Sequence, residues 1–171
     1  MDIAAVSSTE RGRTDKVLAD VAQALLGKGL RLAGLVQTNI ERPGHRHCDM
    51  EVKVLPDGPV LRINQQLGEG AHGCRLDTGA LENAVAGVEA MFAQEIDLLI
   101  VNKFGKHEAE GRGFRNLIAE ALSRDIPVVV GVNTLNEDAF TAFVDDSAER
   151  LAADSAEIQR WCLSRLSCDA A

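Results

Sequence analysis

The chain has 171 residues and a formal charge of −8, with 46% hydrophobic residues, 4% aromatics and no tyrosine. That length suits one domain, residues 1–171, with an aliphatic core, while the acidic balance argues against a nucleic-acid binder, which needs a basic face. No stretch approaches the ~20 apolar residues that insert into a bilayer, Met1–Val6 lack the basic head of a signal peptide, and the cysteines at 48, 74, 162 and 168 form no C-x-x-C pair; the expectation is a cytoplasmic protein without a disulfide framework.

Ile3–Val6 reads as a first strand, followed by the polar run Ser7–Thr14. Val17, Leu18, Val21 and Leu25 then form the apolar stripe of a helix from about Thr14 to Leu26, closed by Gly27 and Gly29. Leu30–Gln37 is a second strand, so the chain opens with the strand–helix–strand unit of parallel sheets. Between about 39 and 77 the pattern changes. Met50–Leu55, a Pro56–Pro59 turn and Val60–Asn64 predict an inserted β-hairpin. A helix capped by Asp77 or Thr78 follows, with Leu81, Ala84, Val85 and Val88 on one face.

Leu98–Val101 is a buried strand, rich in branched residues, that ends in polar company at Asn102. Phe114, Leu117, Ile118, Ala121 and Leu122 mark the next helix, and Ile126–Val132 another buried strand. A short helix at Asn136–Phe143, an edge strand at Glu149–Ala153 and a helix at Ser155–Leu166 complete the chain. The class is α/β, a three-layer sandwich with a mainly parallel, P-loop-like sheet and an inserted β-hairpin.

Two strand-to-helix loops carry the chemistry. A phosphate-binding P-loop reads G-x-x-x-x-G-K-S/T between a strand and a helix. Ser7, Ser8, Thr9, Glu10, Arg11, Gly12, Arg13 and Thr14 keep that context and spacing, with Arg13 for the lysine and Ser7 for the first glycine. Backbone N–H groups at a helix start attract anions whatever the side chains are, although Glu10 opposes one. The alternative is an ordinary polar turn with a Thr14 cap. The second loop, Asn102–Arg115, offers Asn102, Lys103, Lys106 and Arg112 for charge and contact, and Glu108 as the candidate acid. Both loops follow strands of one parallel sheet, where ligands bind beyond the carboxyl ends. The bland account is a solvated face on which these cations pair with Glu108 and Glu110. A partial match to the GTPase N-K-x-D motif at Asn102–Gly105 lacks its aspartate.

Val101–Glu108 resembles the Asp-Glu-Ile-Gly-Lys-Met-Glu segment of the cancer-related nucleoside-triphosphatase family, with Gly105, Lys106 and Glu108 matching. Asn102 and Lys103 stand where that family has its acidic pair. More closely, Gly34–Gln37, Gly73–Asp77, Asn102–Lys106, Glu108–Ala109 and Gly111–Gly113 resemble a bacterial family of unknown function, described as nucleoside-triphosphatase-like. Some of its members are encoded beside molybdate-uptake genes. The resemblance spans roughly residues 2 to 145 and implies a P-loop scaffold, a small anionic ligand (nucleotide, phosphate or oxyanion) and, where nucleotide binds, Mg2+. Phosphoryl transfer needs a metal-linked acid and a group that orients water. With Asn102 and Lys103 in those places, the expectation is a degenerate scaffold with little or no hydrolysis. An active nucleoside triphosphatase using Glu108, with Mg2+ on Thr14, is one alternative. A non-catalytic accessory or sensor in molybdate or metal uptake is the other, and a homo-oligomer is left open.

His45, His47, Cys48, His72 and Cys74 in the inserted region are of the ligand types Zn2+ or copper prefers. Their H-x-H-C and H-x-C spacings match no standard metal site, and chance histidines with two buried cysteines is the preferred reading.

Overall fold

Branched runs too short for helices alternate with amphipathic segments, and the runs at 3–6, 32–36, 98–101 and 128–132 become strands covered on both faces. The computed structural model describes residues 1–40, 49–65 and 76–166. The elements are β1 (Ile3–Ser7), α1 (Arg13–Gly27), β2 (Leu32–Ile40), β3 (Asp49–Val54), β4 (Val60–Arg62), α2 (Thr78–Glu89), β5 (Leu98–Phe104), α3 (Lys106–Ala109), α4 (Arg115–Ser123), β6 (Val128–Val132), α5 (Glu137–Phe143), β7 (Glu149–Ala152) and α6 (Ser155–Leu166). The strands form one sheet in the order β4-β3-β2-β5-β6-β1-β7. From β2 to β7 every neighbouring pair is parallel. The expected parallel set β1, β2, β5 and β6 is therefore contiguous, and the hairpin β3–β4 extends the sheet antiparallel to β2.

Alternation along the strands supplies both faces. Ala4, Val6, Ile100 and Val129 pack against Leu18, Val21 and Leu25 of α1 and against Ile158 and Trp161 of α6. Ala5, Leu99, Val101 and Val130 pack against Leu81, Val85 and Val88 of α2, Leu117 and Ile118 of α4, and Phe140 of α5. Asp77 caps α2, its carboxylate accepting from the Ala80 amide at 3.0 Å. At the amino end of the sheet Arg31 is held by Asp97 (2.5 Å) and by Glu95. The guanidinium holds the Asp97 carboxyl below the usual carboxylate range, mainly through their side-chain hydrogen bond.

Two strands run further than the sequence pattern indicates. β2 continues through Thr38, Asn39 and Ile40, because these exposed residues pair with Glu51, Met50 and Asp49 of β3. β5 passes its polar Asn102 and Lys103 to reach Phe104, which pairs with Val132 and lies edge-on to Phe140 at 5.2 Å. Burying a phenylalanine is worth roughly 1.5–3 kcal/mol, enough to carry two polar residues into the sheet. The segment beyond it also holds the single helical turn α3, where an irregular loop was expected. Among the described residues no helix is long and apolar enough to cross a membrane.

Candidate anion-binding site

β1 delivers the chain to Ser7 at the carboxyl edge of the sheet, and α1 begins six residues later. Between them Ser8 Oγ accepts from the Glu10 amide at 3.1 Å, and the Arg13 amide meets the Glu10 carbonyl at 3.3 Å. Gly12 turns into the helix at φ +74 and no side chain caps its first turn. The Lys16 amide bonds back to Gly12, whereas those of Thr14 and Asp15 have no protein acceptor among the described residues. A helix start with open amides carries partial positive charge and favours an anion.

Two strands, β5 and β2, bring further polar groups to this start. Asn102, 1% exposed, has no hydrogen-bond partner for either its carboxamide nitrogen or its oxygen. Leaving such a group unpaired costs about 1–3 kcal/mol, which makes it a candidate for a bond to water or a ligand. Gly131 of β6 makes room for it. A Cβ there would lie 3.0 Å from Asn102 Oδ1 and 3.2 Å from Thr14 Cγ2. Next to Asn102, the Lys103 ammonium lies 3.9 Å from Asp15 Oδ1. Asp15 Oδ2 accepts from Asn39 at 2.7 Å, and Asn39 in turn accepts from Gln37 at 2.8 Å. Asp15, Asn39 and Gln37 were not among the sequence candidates. An acid directly after the Thr14 position and polar residues at the end of a buried strand are the signals that could have found them.

The other candidates fall as follows. Ser7, Thr9 and Arg11 are exposed along the first loop. Arg13 donates to the Ala153 carbonyl at 3.2 Å and pairs with Glu10 at 3.4 Å, fastening the loop to the chain after β7. Lys106 and Arg112 both turn to Glu110, at 3.7 and 3.1 Å. Arg115 lies 4.2 Å over the Phe143 ring. Glu108 is buried, its carboxylate accepting from the Gly105 amide at 2.9 Å and the Phe114 amide at 3.3 Å. Burial pushes its pKa up, against the pull of those amides. The structure thus brings Thr14, Asn102 and Lys103 together around Asp15, and turns Lys106, Arg112 and Glu108 to other partners. His45, His47, Cys48, His72 and Cys74 lie outside the described residues.

A cavity of about 480 Å³ opens on the opposite face, lined among others by Thr78, Glu82, His107, Arg112, Asn116 and Glu120. Part of its polar lining is engaged in the fold, with His107 Nε2 2.5 Å from Glu82 Oε1 and the Gly113 amide donating to that same oxygen at 3.2 Å. The start of α1, with open amides and an unpaired carboxamide, is the better candidate.

Mg2+, which a P-loop fold implies with nucleotide, does not fit the donors here. Near its end β5 carries a carboxamide and an ammonium where a metal-binding acid is needed, and Asp15, the acid beside Thr14, already faces that ammonium. Among the described residues no group of three or more His, Cys, Asp or Glu side chains could hold a metal.

Strand order, the two helical layers and the β1–α1 loop define an α/β protein of nucleoside-triphosphatase-like, P-loop-like fold. The chain superimposes on the solution structure of a human cancer-related nucleoside triphosphatase with a TM-score of 0.65 at 13% identity, covering 99% of this chain and 98% of that one. For THEP1 from the hyperthermophile Aquifex aeolicus the TM-score is 0.58 at 12% identity, covering 97% and 98%. These likenesses concern the fold alone. Residues 3–161 match the family described as "Protein of unknown function (DUF2478)", and the chain belongs to that family. It is also 35% identical over 159 residues to "Molybdenum import ATP-binding protein ModC 2" of Bradyrhizobium diazoefficiens, a match that covers 93% of this chain but 18% of that protein.

Proposed function

We propose that the protein binds a small phosphate-containing or oxyanion ligand in the crevice between the β1–α1 loop and the end of β5, with little or no hydrolysis. The observation that carries this reading is the buried, unpartnered Asn102 carboxamide beside the open first turn of α1. In this scheme the backbone from Ser8 to Arg13 cradles the anion, Thr14 and Asn102 add hydrogen bonds, and Lys103 adds charge. Hydrolysis would need an acid to orient water. Asp15, the acid closest to Lys103, is engaged by Asn39 and Lys103, and Glu108 is engaged by backbone amides. The nucleotide-binding names of the relatives support a nucleotide as one ligand, and the chain is proposed to act as one unit with the hairpin appended.

Thermal unfolding with millimolar inorganic phosphate, molybdate or ATP tests this. A ligand at ~100 times its Kd stabilises by ~2.7 kcal/mol, so a dose-dependent rise in Tm is expected, lost in Asn102→Leu. No shift with any of the three would remove the reading. Phosphate release from ATP or GTP at ~1 s⁻¹, in the ordinary enzyme range, would replace it with an active triphosphatase. The relative named for molybdenum import favours a second reading, an accessory protein in oxyanion uptake. Protection by molybdate at concentrations where phosphate gives none would support it.

A further inference from the structure

We infer that this crevice takes its anion without a divalent cation, the Lys103 ammonium supplying the positive charge that Mg2+ supplies in a working P-loop enzyme. The inference rests on the anion-binding reading above and specifies the form of its ligand: a tetrahedral oxyanion or terminal phosphate that is not chelated to metal.

Three observations carry it. Lys103 projects from the end of β5 to the first turn of α1, where its nitrogen lies 3.9 Å from Asp15 Oδ1. That distance is too long for a hydrogen bond, so the attraction holds the ammonium in place while leaving its donors available. The Lys103 side chain is 36% exposed, against 9% for Asp15, so a ligand reaches the cation before it reaches the acid. Second, Asp15 is pinned on its other oxygen by Asn39, which is backed by Gln37. The acid is therefore spent on orienting the cation and is not free to ligate a second one. A divalent ion placed beside Thr14 would meet a fixed positive charge, with Asp15 already engaged by Asn39 and Lys103. Third, Asn102 contributes both a donor and an acceptor from a fully buried position against Gly131 and Thr14. A neutral carboxamide can bond an oxyanion or its protonated form, which a carboxylate would repel.

The chemistry predicts selectivity by charge state. Metal-free ATP, inorganic phosphate and molybdate present bare oxygen to Lys103, whereas Mg2+-ATP presents oxygens already shared with a cation. The test is equilibrium titration of the full chain with each of these three anions, once in millimolar MgCl2 and once in EDTA. For phosphate and molybdate the two Kd values should agree within about twofold, and ATP should bind at least as tightly in EDTA as in Mg2+. Lys103→Ala should weaken every ligand about tenfold or more in both buffers, as expected for a lost charge-assisted contact, while Lys103→Arg retains most of the affinity. Because the buffer comparison uses the unaltered protein, it stands even if a variant fails to fold. Binding about tenfold tighter in Mg2+ than in EDTA would overturn the inference and leave the anion site standing. Binding of nothing in either buffer would overturn both.

Discussion

The two loops that leave the carboxyl edge of the sheet, β1–α1 and β5–α4, are about equally polar in sequence, and their structures are opposite. In the β5–α4 loop the amides and charged side chains find partners, on the loop's own acids or on Glu82 of α2. Glu108 accepts two amides, Glu82 takes the Gly113 amide and His107, and Glu110 gathers Lys106 and Arg112. In the β1–α1 loop the first turn of the helix keeps open amides, and the side chains that approach it bring an unpaired carboxamide and a loosely paired ammonium. A dense run of charged residues can serve only to satisfy its own turn. Unspent hydrogen-bonding capacity distinguishes a candidate site from a well-made loop.

Glycine substitution breaks this comparison most sharply. Gly113 sits at φ +57, and a Cβ there would lie 2.2 Å from Glu108 Oε1, a carboxylate fixed by two amides. The backbone strain of ~1–2 kcal/mol then adds to an overpacking cost of ~1–3 kcal/mol. Gly113→Ala is therefore expected to lower the unfolding free energy by ~2–5 kcal/mol in urea titration, the largest effect of the set. A loss under ~1 kcal/mol would show that the Glu108 bridge yields easily.

Glu108 should also leave a mark in the pH dependence. Burial raises its folded-state pKa, the amides of Gly105 and Phe114 only partly offsetting the desolvation. A raised pKa gives a contribution fully present below the unfolded value of about 4.3 and lost as pH rises through the folded value. Glu108→Gln removes that titration and costs ~1–3 kcal/mol through its mismatched amide. The stability gap between wild type and variant should narrow from pH 4 upward, and a gap that widens instead would mean the amides outweigh burial.

Most of the architecture is legible in the residues because burial imposes periodicity. The last helix spans Ser155–Leu166 as expected, and the buried runs of β1, β5 and β6 come out as parallel neighbours. The reach of β5 to Phe104 was not legible, since the reward for crossing Asn102 and Lys103 lies in Phe140, far along the chain. The site was legible only as a location. The Ser7–Thr14 spacing and the Asn102–Lys103 departures point to the carboxyl edge of the sheet, where the candidate site is proposed. That Lys103 stays there depends on a nonlocal partner, Asp15, which no spacing rule supplies. The turning of Lys106 and Arg112 to Glu110 is local and was open to the sequence as the solvated-face account.

Gly12 is the counterpart of Gly113 in the open loop. It adopts φ +74, yet a Cβ there would meet nothing within 4 Å. Gly12→Ala should therefore cost only the backbone strain of ~1–2 kcal/mol, read as a small fall in the urea midpoint with an unchanged slope. A loss as large as that of Gly113→Ala would mean the β1–α1 loop is as tightly closed as its neighbour, and the contrast between the two would fail.

The smallest expected effect bears directly on where the site ends. Lys106 and Arg112 are 86% and 63% exposed in their side chains, and both share Glu110 as partner. Exposed pairs of this kind contribute ~0–1 kcal/mol, and salt screens them. Lys106→Ala and Arg112→Ala should each change stability by less than ~0.5 kcal/mol and leave anion protection as in the wild type. Arg112 also borders the cavity on the α2–α4 side, away from α1, so its loss should not be felt at Lys103. If either substitution abolishes the anion-dependent rise in Tm while Lys103→Ala does not, the ligand sits over the β5–α4 loop. The crevice at the start of α1 would then be a solvated turn, as its exposed Ser7, Thr9 and Arg11 alone would suggest.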